Sequence, residues 1–394
     1  MPISKNIANA VENSSLIRKM FEEGNRRIQL YGRENVFDLS IGNPVFEPPP
    51  ELKQALLKLV QSDEKGTHRY MPNPGYPASR EFICQLYQNE TGLPLTSDDI
   101  IFTTGAGGAL NVIFKTLLDP GDEVVVIAPY FVEYDYYITN YGGLVKQAES
   151  DAQFQLDFEN LEEVITPKVK AILINAPNNP TGVVYPKSEL DRLGEILNRK
   201  SKAFGHPISL ISDEPYKNIS FGAEIPSIFN SYANSIIVTS YSKDLAIPGE
   251  RIGYIAISSN HEDREAIQNG AVIALRILGF VNAPAIWQRV IPLVGNARVD
   301  LKPYRENRDV LHDHLTQSGF ECVKPEGGFY LFPKSPIPDD KAFIAAAQEL
   351  NLLMVPGSAF KRSGYFRLSF CFETEFIRRS LPLFTKLAEQ YGIA

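Results

Sequence analysis

Residues 208–216 read Ile208-Ser209-Leu210-Ile211-Ser212-Asp213-Glu214-Pro215-Tyr216. A short apolar run ends abruptly in polar residues, and a proline then stops any regular strand from continuing. The same construction recurs along the chain. Ile100-Ile101-Phe102 leads into Thr103-Thr104-Gly105-Ala106-Gly107-Gly108, and Ala171 to Ile174 into Asn175-Ala176-Pro177-Asn178-Asn179-Pro180-Thr181-Gly182. Ser235 to Thr239 leads into Ser240-Tyr241-Ser242-Lys243-Asp244, with Pro248-Gly249-Glu250-Arg251-Ile252-Gly253 beyond. Further apolar runs occupy Glu123 to Ala128 and Ile252 to Ile257, separated by helical segments. This alternation, from about residue 51 to 285, predicts an α/β domain on a largely parallel sheet.

Ligands of open α/β sheets bind at the carboxyl ends of strands, so the polar clusters there are the candidate chemistry. Taken singly, each has a plain structural reading. The glycines after Phe102 make either a tight strand-to-helix turn or a cradle of backbone N–H groups for a phosphate. Asn175 to Gly182 is dense in turn formers. Asp213 could cap a helix or face a cationic ligand atom from a buried position. Lys243 alone would be a solvated surface residue. Together, the four strand ends carry a set that turns do not require.

The flanks read differently. Ile7 to Leu30 has Val11, Leu16, Ile17, Met20, Phe21 and Ile28 at mostly helical spacing, which predicts a helix lying on the body. Val36 to Ile41 then runs as a strand into Gly42-Asn43-Pro44 and Pro48-Pro49-Pro50, so a linker or domain crossing is expected near 42–50. From about 290 onward, helices at 297–317 and 375–391 flank strand-like Gly328 to Phe332 and Tyr365 to Phe370, the pattern of a smaller α+β domain. The expected division is 1–50 as an N-terminal segment joining the small domain, 51–285 as the large domain and 286–394 as the small domain.

Composition narrows the function classes. The 394 residues are roughly two to three times a usual domain length. With 44% apolar and 22% charged residues, disordered, collagen-like and disulfide-scaffold classes are excluded. A net charge of −8 disfavours nucleic acid and anionic membrane as partners. Cys84, Cys322 and Cys371 are far apart without CxxC spacing, and read as reduced thiols. No metal-ligand spacing is present. Met1 to Met20 lacks the apolar core of a secretory signal, and Ala271 to Trp287, broken by Arg276, Asn282 and Pro284, reads as a core helix followed by a turn. A cytoplasmic chain is the expectation.

The ordered set of motifs, from Leu39-Ser40-Ile41-Gly42-Asn43-Pro44 through the glycine-rich turn, Asn-Asn-Pro-Thr-Gly, Asp-Glu-Pro-Tyr, Ser-Tyr-Ser-Lys and Arg-Ile-Gly-Tyr to Arg367, resembles the class I/II aminotransferases of fold type I. That family uses pyridoxal 5′-phosphate. The resemblance implies Lys243 as the Schiff-base lysine that also moves a proton, and Asp213 as partner of the pyridine N1–H. It implies Asn179 and Tyr216 on the phenolic oxygen and Phe131 stacked on the ring. For the phosphate it implies the Ala106 and Gly107 N–H groups, Ser240, Arg251 and, from a neighbouring subunit, Tyr70, hence a homodimer with composite sites. The substrate carboxylate would meet Arg367, Asn179 and the Gly42 backbone, because a guanidinium offers two parallel donors in a rigid plane.

The implied reaction moves an amino group between an L-α-amino acid and a 2-oxo acid, with glutamate and 2-oxoglutarate as one pair. A lyase of the same fold, similar to cystathionine β-lyase, is the alternative. Gly107 stands where one branch of the family carries a lysine for a distal carboxylate; another branch uses an arginine from the partner subunit, for which the sequence shows no match, though Arg276 and Arg289 lie in the right half of the chain. Aspartate specificity therefore does not carry over. The tyrosine-rich run Tyr130 to Tyr141 fits an aromatic substrate or core packing beside the cofactor.

Overall fold

A computed structural model describes residues 3–12, 16–62 and 64–394. Its strands are β1 (Phe37–Asp38), β2 (Ile100–Thr103), β3 (Glu123–Ala128), β4 (Leu144–Glu149), β5 (Val169–Asn175) and β6 (Ser209–Asp213). They continue as β7 (Ser235–Ser240), β8 (Gly253–Ile257), β9 (Tyr330–Leu331), β10 (Leu352–Leu353), β11 (Val355–Pro356) and β12 (Phe366–Ser369). The central sheet has seven strands in the order β2-β8-β7-β6-β5-β3-β4. β8 alone runs antiparallel to its neighbours β2 and β7, while the other pairings are parallel.

Parallel strands covered on both faces should be apolar throughout. β3 and β6 are buried at every position. On one face Ala109, Leu110 and Ile113 of the helix Gly105–Leu117 pack with Ile267, Ala271 and Leu275 of the helix Arg264–Ile277. On the other face lie Ile83 and Tyr87 of the helix Pro77–Thr91, Leu190 and Leu193 of the helix Lys187–Phe204, and Val290. The expected runs in this region are all strands, within a few residues at their ends.

β4 lies outside the sequence expectation. It is an edge strand with Leu144 and Gln147 exposed, so it lacks the continuous apolar run by which its neighbours are read. The stretch Ala271 to Trp287 also differs. Its helix begins earlier, at Arg264, and Trp287 belongs to a second helix, Ala285–Val294.

A second core gathers Phe37 and Leu39 with Tyr304, Leu311, Phe343, Phe366, Leu368 and Phe384. β1 pairs with β10, matching Phe37 to Leu352, and β11-β12-β9 form a small antiparallel sheet. Its helices are Lys302–Gln317, where Pro303 sets the first turn, Asp340–Glu349 and Thr374–Tyr391. In place of one helix over Ile7 to Leu30 there are two, Lys5–Glu12 and Leu16–Tyr31. Residues 13–15 and the side chains of Leu16, Ile17 and Phe21 lie outside the described residues. Residues 41–49 carry no regular structure, as the proline cluster requires.

Candidate active site

The carboxyl ends of β2, β5, β6 and β7 open onto one cavity of about 350 Å³. Gly42, Ala106, Gly107, Phe131, Asn179, Asp213, Tyr216, Ser240, Lys243, Arg251 and Arg367 all line it. Arg251 precedes its strand instead of following it, yet reaches the same rim because β8 is reversed. Gly253, the first residue of β8, pairs with both Thr103 and Ser240, the last residues of β2 and β7.

Close backbone packing shapes the cationic corner. A side chain on Gly253 would come within 2.3 Å of the Thr239 carbonyl and 2.8 Å of Gly105 Cα. Gly105 itself has φ +84°, and a Cβ there would approach Arg251 Nη2 to 2.9 Å. The guanidinium therefore lies directly against the turn that opens the helix Gly105–Leu117, and its Nη2 donates to the Thr104 carbonyl at 3.3 Å. Backbone N–H groups, a helix N-terminus, the nearby Ser240 and an arginine together are suited to an anion.

Asp213 closes β6. Its Oδ2 accepts from Tyr134 Oη at 2.6 Å, while Oδ1 is buried and has no partner among the described residues. Burial pushes the carboxyl up to about 7; the Tyr134 bond opposes this and the adjacent Glu214 adds to it. A buried carboxylate with one open acceptor calls for a cationic or N–H donor. Asn175 Nδ2 donates to the Asp213 carbonyl at 2.7 Å, and Asn175 Oδ1 accepts from the Asn179 backbone at 2.7 Å, so β5 and β6 fix both polar residues together.

Lys243 stands three residues beyond β7 and donates from Nζ to the Gly42 carbonyl at 2.8 Å. Burial pulls its ammonium down to about 8, and the charges of Arg367 and Arg251 act in the same direction. A lysine so placed supplies a neutral amine close to neutral pH, the form needed for nucleophilic attack and proton transfer. Its host, Gly42, must lack a side chain, since a Cβ would fall 1.7 Å from the Tyr330 hydroxyl.

Arg367 on β12 is 2% exposed. Nη2 donates to the Ser40 carbonyl at 2.6 Å and Nη1 to Asn179 Oδ1 at 3.0 Å. The guanidinium carbon sits 4.3 Å from the Tyr330 ring centroid and 4.8 Å from that of Phe360. It is thus held in one plane with Nε still unpartnered, suited to a carboxylate. Tyr216 Oη lies 3.4 Å from Tyr330 Oη at the same wall.

Tyr70 stands apart from this cavity and is 89% exposed. Arg276 is exposed, and Arg289 binds Glu64 and Thr67; neither lines the cavity. Three residues of the site escaped the sequence reading: Asn175, Tyr134 as the donor to Asp213, and Tyr330. Tyr134 and Tyr137 both line the cavity from the helix Glu133–Thr139. Their i, i+3 spacing was the available signal. Tyr130, by contrast, is buried against Asp135 at 2.7 Å, outside the cavity wall that Phe131 joins. Among the described residues no helix is long and apolar enough to cross a membrane, and no group of three His, Cys, Asp or Glu could hold a metal ion.

An amino transferase structure from Eubacterium rectale superposes with a TM-score of 0.95 at 36% identity, covering 99% of each chain. Alanine aminotransferase from Pyrococcus furiosus superposes with a TM-score of 0.87 at 29% identity, covering 98% of this chain and 100% of that one. The aspartate/prephenate aminotransferase of Thermus thermophilus is 33% identical over 360 residues, 89% of this chain and 90% of its own. The sequence pattern of aminotransferase class I and II matches residues 34–381. On these grounds the chain belongs to the class I and II aminotransferases of fold type I, enzymes that transfer an amino group between an amino acid and a 2-oxo acid.

Proposed function

We propose that the cavity binds pyridoxal 5′-phosphate through Lys243, and that the enzyme exchanges amino groups between L-α-amino acids and 2-oxo acids with glutamate and 2-oxoglutarate as one pair. The observation that carries the reading is the orphaned Asp213 Oδ1, a buried acceptor at the cavity wall that a pyridine N–H would satisfy. The donor set fits the remaining groups. Ala106, Gly107, Ser240 and Arg251 suit the phosphate, Asn179 and Tyr216 the phenolic oxygen, and Phe131 a ring face. The bound cofactor supplies an electron sink for the carbanion left when Cα loses its proton.

The chain's own residues do the rest. Arg367 and Asn179 orient the substrate carboxylate, with the Gly42 backbone beside them. Lys243 Nζ, lowered toward neutral pH, takes the Cα proton and returns it on the other side of the reaction. Tyr134 keeps Asp213 oriented. We further propose that 51–285 form the cofactor-binding domain, with 1–50 and 286–394 as the smaller one. The assembly would be a cytoplasmic homodimer in which the exposed Tyr70 reaches the partner's phosphate site.

Purified protein mixed with the cofactor should gain the visible absorbance of a lysine-bound pyridoxal group and convert amino donors only when a 2-oxo acid is present. Lys243→Ala should lose both properties. Full turnover by Lys243→Ala, or ammonia and pyruvate formed without an acceptor, would refute the assignment.

A further inference from the structure

Behind the active site lies a second polar cluster. Asp213 and Lys243 line the main cavity, whereas the residues that follow them, Glu214 and Asp244, line a small separate cavity of about 30 Å³. Ser240 contributes to both walls. Glu214 is 3% and Asp244 4% exposed, and each keeps one buried oxygen, Glu214 Oε2 and Asp244 Oδ1, outside hydrogen-bonding geometry with any described residue.

The surroundings decide what belongs there. Asp244 Oδ2 accepts from Asn218 Nδ2 at 2.9 Å and lies 3.1 Å from Arg298 Nε. Lys217 Nζ is 3.4 Å from Glu214 Oε2 but donates to Glu90 at 2.6 Å. Lys217 and Arg298 already balance the charges of Glu214 and Asp244, so the wall offers a metal cation no net negative charge. A neutral donor of two hydrogen bonds needs none. A cavity of about 30 Å³ exceeds the roughly 10–15 Å³ that admits a water, and an internal water requires two to four polar partners.

Main-chain hydrogen bonds at the same two positions fix the strand ends, and the Asp244 carboxylate ties in the segment that carries Asn218. Glu214 N donates to the Val238 carbonyl at 2.8 Å, and Thr239 Oγ1 donates to the Glu214 carbonyl at 2.9 Å, tying β6 to β7. The Asp244 carbonyl accepts from Val299 N at 2.9 Å. We infer that one internal water donates to Glu214 Oε2 and Asp244 Oδ1, and that Glu214 and Asp244 are positioning residues that hold Asp213 and Lys243 in register. The inference rests on the roles proposed above for those two residues.

A high-resolution crystal structure of the cofactor-loaded enzyme tests the water directly. The expected result is one density peak within about 2.7–3.2 Å of both oxygens. An empty cavity or a bound metal ion overturns the inference. In the loaded enzyme, Glu214→Gln and Asp244→Asn should each lower kcat about tenfold with KM changed less than about twofold. Glu214→Gln should also move the pH profile, since it removes a negative charge beside Asp213.

A purely structural role predicts a lower unfolding midpoint with kcat and pH profile of the folded enzyme intact, and that result overturns the inference. If either variant is insoluble, Tyr87→Phe, which takes one hydroxyl from the cavity wall, is measured instead, with the same kcat-selective loss expected at smaller size. Turnover retained by Lys243→Ala would refute the underlying assignment. Full activity of Glu214→Gln beside an inactive Lys243→Ala refutes this inference alone.

Discussion

Asp99 and Asp213 are both buried carboxylates next to strands of the same sheet, at opposite ends of it. Asp99 precedes β2 at the amino end and accepts from Thr96 N at 2.6 Å, Arg264 Nη2 at 2.7 Å and Gln268 Nε2 at 2.7 Å, with Arg264 Nε also bound. Asp213, at the carboxyl end of β6, has one side-chain donor and an orphaned oxygen. The first end spends its buried charge on holding helices and strands together. The second leaves an acceptor open for a ligand, and burial without that partner pushes its carboxyl up.

Substitution at each end separates the two roles. Asp213→Asn should lower kcat by about a thousandfold, because a preorganised charge is lost where the reaction needs it. Its apo-protein should be more stable than wild type at pH 8. The sign follows from linkage: a carboxyl raised to about 7 in the fold contributes stability below its unfolded value near 4 that is lost as pH rises through 7. Denaturant unfolding of both apo-proteins at pH 5 and pH 8 checks it. Asp99→Asn should do the reverse, costing about 3 kcal/mol of stability by leaving Arg264 and Gln268 mismatched, with kcat of the folded enzyme unchanged. Loss of activity without loss of stability at Asp99 would break the comparison.

A third buried group sharpens it. His261 is 4% exposed; its Nδ1 accepts from Asp263 N at 3.1 Å, so Nε2 carries the proton toward Ser209 Oγ at 3.3 Å. That arrangement denies Ser209 a general base and makes the neutral ring a fully bonded structural element. Burial lowers the imidazole to about 4. The folded chain then binds a proton less readily than the unfolded one, so up to about 3 kcal/mol is present above pH 6.5 and lost as pH falls toward 4. In the Asp213→Asn background, which removes the opposing pH dependence of that carboxyl, the drop in thermal midpoint from pH 7 to pH 5 should be larger with His261 than with His261→Gln.

The smallest effect concerns Tyr134, the one side-chain donor to the Asp213 carboxyl among the described residues. Tyr134→Phe removes a bond that lowers the carboxyl, so the acidic limb of the kcat profile should move up by about one pH unit. An unmoved limb would mean that Tyr134 merely packs.

The carboxyl-end chemistry was legible in sequence because apolar runs break into residue types that turns alone do not need, as at Asn175 to Gly182 and Ser240 to Asp244. β4 was not, because an edge strand with exposed positions lacks a continuous apolar signal. β10 and β11 are two residues each, too short for any periodicity, and are made by pairing with β1 and β12. Tyr330 and Tyr134 were hidden for another reason. Aromatic residues read as core, and only tertiary placement shows that these two line a cavity.

The reversal of β8 has one more consequence. Because Ser240 and Gly253 are cross-strand partners, residues 241–252 form the loop of a β-hairpin, and that loop carries both Lys243 and Arg251. The Lys243 amine and the Arg251 guanidinium are therefore spaced by one short closed segment, whereas Asp213 and Arg367 must be brought in from elsewhere in the chain. These two cations form a local module, set in relative position as soon as β7 and β8 zip together.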